Sequence, residues 1–600
     1  MSDAKFIIWH DTIASGATEV ECLSYETEDS AGTTPPLAAG DFAVIKDGEQ
    51  AREWMAQVVE PQRNVPLQGL SRESPSEVAV FERILKGDID KSIFLNQVYY
   101  YRLQLIGELL GDGRLTAVRR RPRAGSVGRI ADAAAVRKAL DLPATEVDNS
   151  NVIGRIHSTD IPIAVDWGVL RQHILVAGAT GSGKSNTVAN LIKAAQSYKA
   201  CVVVYDQKPD YQHMTRPNDE KVPFRKWDKG NQSVIRPKGL KNVARYSLWR
   251  GKEEQEEGEQ AIAVRACDVS LSMLVSSLFH YPDEGNQRDV FQALVRYYVD
   301  TLRKFGDWSL TEFADWVKKG RETGSLAKIA SGQGWGELND MTLGAMQRKM
   351  LQRRPEWLDA LNTEYDRTAA TGVFKSAREA ARREDRPTGY FVPNSHLGAG
   401  KILVIRTNAE GREYGLFLSY MLQEIFKLRQ TGGIDFPVVN IVDEAQDIFQ
   451  GSPGVRESAT ARLNEVIRKG RSKDIGFVIS VQSVSQVPDS VLTNMNTRII
   501  HRQNSVEELR LAIPSASRDL MASSLTFGPG EALVSMIGAR SVVQAELAPS
   551  PFELTKTSAT ERKTLGDQDE EAEHRGAAPA LAAPNGRTKA MEPSDDEIPF

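Results

Sequence analysis

Residues 173–188 read H-I-L-V-A-G-A-T-G-S-G-K-S-N-T-V. A short apolar run from His173 to Ala177 leads into Gly178-Ala179-Thr180-Gly181-Ser182-Gly183-Lys184-Ser185, and Val188, Leu191, Ile192 and Ala195 then recur at helical spacing. G-x-x-x-x-G-K-S between a strand and a helix is a nucleotide site with a mechanism. The glycines let backbone N–H groups converge on phosphate oxygens, the lysine reaches the β/γ-phosphates, and the hydroxyl ligates Mg2+. The expected cofactors are ATP and Mg2+. The expected ATP-binding residues run from Gly178 through Ser185 to Asn186, with Lys184 on the phosphates and Ser185 on the metal.

Outward from this loop the texture is strand, helix, strand. Cys201-Val202-Val203-Val204-Tyr205 is a second buried-strand run, and further runs follow at Ile402–Ile405, Val438–Val442, Phe477–Ser480, Arg498–His501 and Ala532–Met536. Such alternation predicts a parallel α/β sheet. Val438–Val442 ends in Asp443 and Glu444. Next to a P-loop this pair reads as hydrolytic: Asp443 holds Mg2+ through its water shell, and Glu444 orients and polarises the attacking water. Gln482, ending the run Gly476–Val481, either reaches the γ-phosphate and reports its loss or simply caps a strand. Upstream of it, Arg468-Lys469-Gly470-Arg471-Ser472-Lys473 is a cationic cluster. It is an arginine finger for a neighbouring subunit, a contact to a phosphate backbone, or a solvated loop; Arg468 and Arg471 are the candidate residues.

The flanks differ in texture. Residues 1–150 alternate apolar and polar positions between Gly, Pro and acidic turns, as in 40–45 and 113–118, which predicts a small β-barrel or sandwich with a helical interruption near 75–85. Residues 215–395 read as mostly helical and charged, with helices expected at 261–277, 287–305 and 310–320. From about residue 566 the chain is Ala/Pro/Gly/acid-rich and expected to be disordered. Among 600 residues, 41% are hydrophobic and 26% charged, which excludes global disorder. Three widely spaced cysteines form no disulfide framework or Cys-based metal site. No apolar run approaches the length of a membrane span and the N-terminus lacks a signal-peptide pattern, so a cytoplasmic protein is expected. The net charge of −5 looks unsuited to nucleic acid. However, residues 566–600 carry nine acids and three Arg/Lys, a net of −6, which leaves +1 for the rest.

The order of motifs resembles the HerA branch of the HerA–FtsK family of hexameric DNA-pumping ATPases. The carrying residues are 173–188, D-Q-K-P-D-Y (206–211), I-V-D-E-A-Q (441–446), I-R-K-G-R-S-K-D-I-G-F-V-I-S-V-Q-S (467–483), N-T-R-I-I-H-R (496–502) and G-P-G-E-A-L-V-S (528–535). The resemblance implies an α/β fold with a RecA-like P-loop ATPase core at 151–214 and 396–550. It also implies an N-terminal β-barrel at 1–150 whose first hairpin lies in 40–59, a helical insertion at 215–395, and a C-terminal segment at 551–600. It places Asp206 and Asp210 in an acidic motif and the arginine finger within Arg468–Arg471. Two departures stand out: Gln446 occupies a position where many members have His, and the insertion lengthens the distance from the P-loop to Asp443. The implied activity is ATP-driven threading of double-stranded DNA through a homohexamer. The implied partner is a nuclease or defence effector on the barrel face, for end resection or antiphage defence. Membrane-anchored relatives of the superfamily fit less well, because this chain shows no membrane helix. An AAA-type remodeller also fits less well, for want of a small helical lid after the last strand. The rival from another class is a nucleotide-gated hexameric scaffold that assembles an effector without net translocation.

Residues 592–600, E-P-S-D-D-E-I-P-F, resemble the acidic tip of bacterial single-stranded-DNA-binding proteins. That resemblance implies docking of a genome-maintenance protein on Ile598-Pro599-Phe600, by a ring and carboxylate in an apolar, Arg-lined pocket; the plain alternative is a solubilising tail.

Overall fold

The computed structural model describes residues 6–10, 19–25, 37, 40–49, 51–59, 63–65, 98–157, 159–219, 236–249, 258–279, 281–304, 307–359, 389–407, 411–449, 453–538 and 541–555. The helix expected near 75–85 and the acidic tail with Ile598-Pro599-Phe600 lie outside the described residues.

Eight strands form the N-terminal part: β1 Phe6–His10, β2 Glu19–Tyr25, β3 Phe42–Asp47, β4 Arg52–Val58, β5 Arg63–Val65, β6 Val98–Leu109, β7 Leu115–Thr116 and β8 Val127–Ile130. The antiparallel order β2-β1-β8-β3-β4-β6 closes on itself because β6 also pairs with β2, giving a six-stranded barrel. The hairpin expected at 40–59 is β3–β4, in register from Phe42↔Gln57 to Asp47↔Arg52, but it is not the first antiparallel pair, because β1 and β2 precede it. Strand period two explains its sequence. Ala43, Ile45, Trp54 and Ala56 fill the barrel, while Phe42, Val44 and Met55 on the other face join the core of the ATPase sheet. Both faces are thus buried. The Trp54 indole finds its acceptor at the Arg120 carbonyl, 2.8 Å away.

The second sheet has thirteen strands: β9 Val152–Ile156, β10 Pro162–Ala164, β11 Ile174–Ala177, β12 Cys201–Asp206, β13 Val243–Leu248, β14 Glu259–Ala263, β15 Gly389–Tyr390, β16 Ile402–Arg406, β17 Val438–Val442, β18 Ile475–Val481, β19 Thr497–His501, β20 Glu531–Ser535 and β21 Val543–Leu547. Its order is β10-β9-β21-β20-β19-β11-β18-β17-β12-β16-β13-β14-β15. Neighbours from β19 to β15 are all parallel; the β20, β21, β9 and β10 edge is antiparallel. The segment β19-β11-β18-β17-β12 is the RecA-like arrangement, with the P-loop strand β11 between β19 and β18. Its strands are solid apolar runs because both faces are covered. Along β11, Ile174 and Val176 pack toward helix Lys184–Ser197, while Leu175 and Ala177 pack toward helices Leu271–Leu278, Gly411–Thr431 and Pro453–Gly470.

In the stretch 215–395, Leu310–Glu322 is helical as expected, and the helix expected at 287–305 is Gly285–Tyr297 continued by a π-helical turn, Tyr298–Arg303. The expectation for 261–277 changes. Glu259–Ala263 is strand β14, and only Leu271–Leu278 is helix. With β13 and β15, β14 extends the parallel sheet beyond β16. A short run such as Ala261-Ile262-Ala263-Val264 fits a doubly covered strand and a buried helix equally well by periodicity; the available sheet edge decides. Among the described residues, no helix is long and apolar enough to cross a membrane.

Candidate active site

The site forms where β11, β18, β17 and β12 end, at the carboxyl edge that parallel sheets offer to ligands. Helix Lys184–Ser197 starts at Gly183, whose φ of 106° is open to glycine and strained for other residues, and no side chain caps its first turn. Its leading N–H groups and positive dipole end are left for an anion. A side chain at Gly183 would also meet the Gly530 nitrogen at 2.9 Å, and one at Gly178 would meet the His501 Cβ at 2.6 Å. The loop is therefore clamped from behind: the Gly530 N–H donates to the Ser182 carbonyl, and the Ala179 N–H to that of Arg502. His501 completes the clamp. Burial pushes its pKa down to about 4, so the ring is neutral. Its Nδ1–H faces the Glu531 carbonyl at 3.1 Å, leaving Nε2 to accept from the Thr187 hydroxyl at 2.9 Å.

Lys184 folds back on its own loop, its Nζ 2.7 Å from the Gly178 carbonyl and 3.3 Å from that of Ala179. Burial lowers its pKa, with Glu444 and Asp443 pulling the other way. The Ser185 hydroxyl donates to Asp210 Oδ2 at 3.1 Å. Asp210 lies on a turn that Asp206 builds at the end of β12: the fully buried Asp206 carboxylate accepts from the N–H groups of Asp210 and Tyr211 and from Gln212 Nε2, each at 3.3 Å. Burial, reinforced by the charges of Asp443 and Asp210, raises the Asp206 pKa well above the usual carboxylate range.

Asp443 and Glu444 follow β17 directly. Asp443 is buried, and burial with the adjacent Glu444 charge lifts it to about 7 against a hydrogen bond from Ser480. Glu444 goes the opposite way. Burial disfavours its charge, yet hydrogen bonds from Lys208, Gln446 and Gln482 hold it below its ordinary value. Lys208 Nζ is 2.8 Å from Oε1, Gln482 Nε2 is 2.9 Å from Oε2, and Gln446 Nε2 also donates to Oε2. The Glu444 backbone is left-handed, with φ at 47°, turning the side chain back over the strand ends.

Lys184, Ser185, Asp443, Glu444 and Gln482 thus converge, whereas Arg468 and Arg471 do not join them. Helix Pro453–Gly470 runs back along the sheet, and the Ile467 carbonyl meets His173 Nε2 at 2.8 Å, just ahead of β11. That is the amino edge of the sheet, roughly 13 Å from the loop at a rise of about 3.3 Å per residue along β11. Both arginines are exposed there. Three contributors carried no role in the sequence reading: Lys208, the amide contact of Gln446, and His501. Lys208 and His501 depend on which strands are neighbours, whereas the Gln446 contact spans only two residues and depends on the left-handed turn at Glu444.

For a metal, no group of three or more His, Cys, Asp or Glu side chains forms a cage among the described residues. A hydroxyl and one or two carboxylates beside a phosphate site are nonetheless the donor set that suits Mg2+, which keeps several waters and takes its remaining ligands from substrate phosphates. The residues fit that ion.

A family model described as the central domain of helicase HerA matches residues 151–367, and one described as the helicase HerA-like C-terminal region matches 394–575. The DNA double-strand break repair helicase HerA of Sulfolobus acidocaldarius is 20% identical over 478 residues, covering 76% of this chain and 79% of that protein. Its counterpart from Sulfurisphaera tokodaii is 19% identical over 396 residues, covering 64% and 66%. Among solved structures, VirB4 of Thermoanaerobacter pseudethanolicus aligns with a TM-score of 0.43 at 15% identity, covering 68% of this chain and 99% of that one. The plasmid coupling protein TrwB in complex with an ATP analogue aligns at 0.41 and 15%, covering 66% and 88%. With a P-loop after β11, paired acids after β17 on the far side of β18, and HerA models over most of its length, the chain belongs to the HerA family of P-loop ATP hydrolases.

Proposed function

We propose that the protein is a Mg2+-dependent ATPase that moves double-stranded DNA through a homohexameric ring. The observation that carries this is the convergence of Lys184, Ser185, Asp443, Glu444 and Gln482 at one sheet edge while Arg468 and Arg471 stand exposed at the other. Lys184 leaves the carbonyls of Gly178 and Ala179 for the β/γ-phosphates, joined there by the first N–H groups of helix Lys184–Ser197. Ser185, and Asp443 through water, would hold Mg2+, which would supply charge neutralisation at the phosphates. Glu444 orients and polarises the attacking water, and Gln482, bonded to Glu444, senses the γ-phosphate from the adjacent strand. Arg468 or Arg471 serves the nucleotide of the next subunit, so hydrolysis at one site changes an intersubunit contact and advances the pore along the DNA backbone.

The barrel is the surface for a nuclease or defence effector, in DNA end processing or antiphage defence. Its support is a pair of outward apolar side chains, Ile7 and Val127, which are cross-strand partners on β1 and β8 and each more than 40% exposed.

The test is steady-state ATP hydrolysis with and without duplex DNA. Duplex should raise turnover several-fold, and the rise should shrink with salt as phosphate contacts are screened. Hydrolysis indifferent to DNA favours the scaffold reading.

A further inference from the structure

Glu444 is held by three donors. Lys208 sits on Oε1, and the amides of Gln446 and Gln482 share Oε2. A carboxylate offers about four lone-pair directions on its two oxygens. Here three are taken by protein groups, and the charged donor occupies the oxygen that no amide touches. The amides come from a buried side chain at the start of helix Gln446–Phe449 and a half-buried one just after β18, whereas the Lys208 side chain is 51% exposed and its partner Glu444 only 10%. Lys208 is therefore the releasable partner. The other cation of the site is similarly parked, since Lys184 donates to loop carbonyls of the protein itself.

We propose that Lys208 is a positioning residue that restrains Glu444. Its ion pair holds the carboxylate turned from the attacking water, and turnover requires that pair to open. The turn built by Asp206 sets the restraint, because it carries Lys208 to Glu444 and Asp210 to Ser185 together. Whatever moves this turn then reports on both the P-loop hydroxyl and the water-polarising acid. DNA or a neighbouring subunit acts on turnover by drawing Lys208 away. This inference rests on Glu444 being the water-polarising acid.

The test uses the full-length protein with K208M, which keeps the stem length and removes the charge, alongside K208R and E444Q. ATP turnover is measured without and with duplex DNA, as kcat and KM. The inference predicts that K208M raises DNA-free kcat about three- to tenfold, leaves KM within twofold, and shrinks the stimulation by DNA in proportion, while K208R restores wild-type values. Loss of a purely structural contact has no route to a higher kcat. A K208M kcat equal to or below wild type overturns the inference. E444Q separates this from failure of the underlying reading: if E444Q keeps wild-type turnover, Glu444 is not the acid and the inference falls with it. If E444Q is dead and K208M is not faster, only the restraint is wrong.

Discussion

E444Q should lose about a thousandfold in ATP turnover while binding ATP as the wild type does. The size follows from what a positioned acid–base group contributes, roughly 10²–10⁴ in rate. Retention of binding follows from where the residue sits: Glu444 faces the ends of β12 and β18 through Lys208 and Gln482, and makes no contact with the P-loop backbone among the hydrogen bonds described. The substitution is also tolerable structurally. An amide offers only one acceptor oxygen to three donors, so at least one donor is stranded, at a cost of about 1–3 kcal/mol. Gln446 can soften that cost. Its Oε1 is buried without a hydrogen-bond partner, so a flipped Gln446 could accept from the new amide. Phosphate release and binding of a fluorescent ATP analogue check the two halves. Residual turnover above a tenth of wild type would place the acid elsewhere.

K184A should fail earlier, in binding. Lys184 is half-buried and held by two carbonyls of the loop it belongs to, so its ammonium stands within a short swing of the phosphates. Each charge-assisted bond it makes to phosphate is worth about 1.5–3 kcal/mol, so its removal should weaken ATP binding about 10- to 150-fold. In the absence of nucleotide the variant should melt within a few degrees of wild type. The rise in melting temperature that saturating ATP gives the wild type should largely vanish, since stabilisation follows the ratio of ligand concentration to Kd. Affinity within twofold of wild type would mean the loop binds phosphate by its backbone alone. Together the two variants divide the site: Lys184 on holding ATP, Glu444 on breaking it.

Much of the core is readable in the chain itself. Val438–Val442 coincides with β17 residue for residue, and β11, β12, β16 and β19 differ from expectation by a residue at most, because a strand covered on both faces is an unbroken apolar run bounded by turns. The strands that escaped are those whose composition is mixed. Val243-Ala244-Arg245-Tyr246-Ser247-Leu248 carries a cation and a hydroxyl, and β13 exists because β16 offers it an edge. At the site, the P-loop and the Asp443-Glu444 pair are local motifs and so are visible. The Lys208–Glu444 pair spans 236 positions and joins the ends of two strands that are neighbours only in the folded sheet. Arg468 and Arg471 were legible as cations but not as to which sheet edge they occupy; the direction of helix Pro453–Gly470 decides that.

The central claim is that ATP hydrolysis at this site drives motion along duplex DNA. Displacement of a third strand from a DNA triplex measures it most directly, because the duplex need not be opened for the third strand to be pushed off. Wild-type protein with ATP and Mg2+ should strip the third strand at a rate that follows ATP turnover, and E444Q should leave it in place. A wild-type protein that hydrolyses ATP while the triplex remains intact would contradict the account.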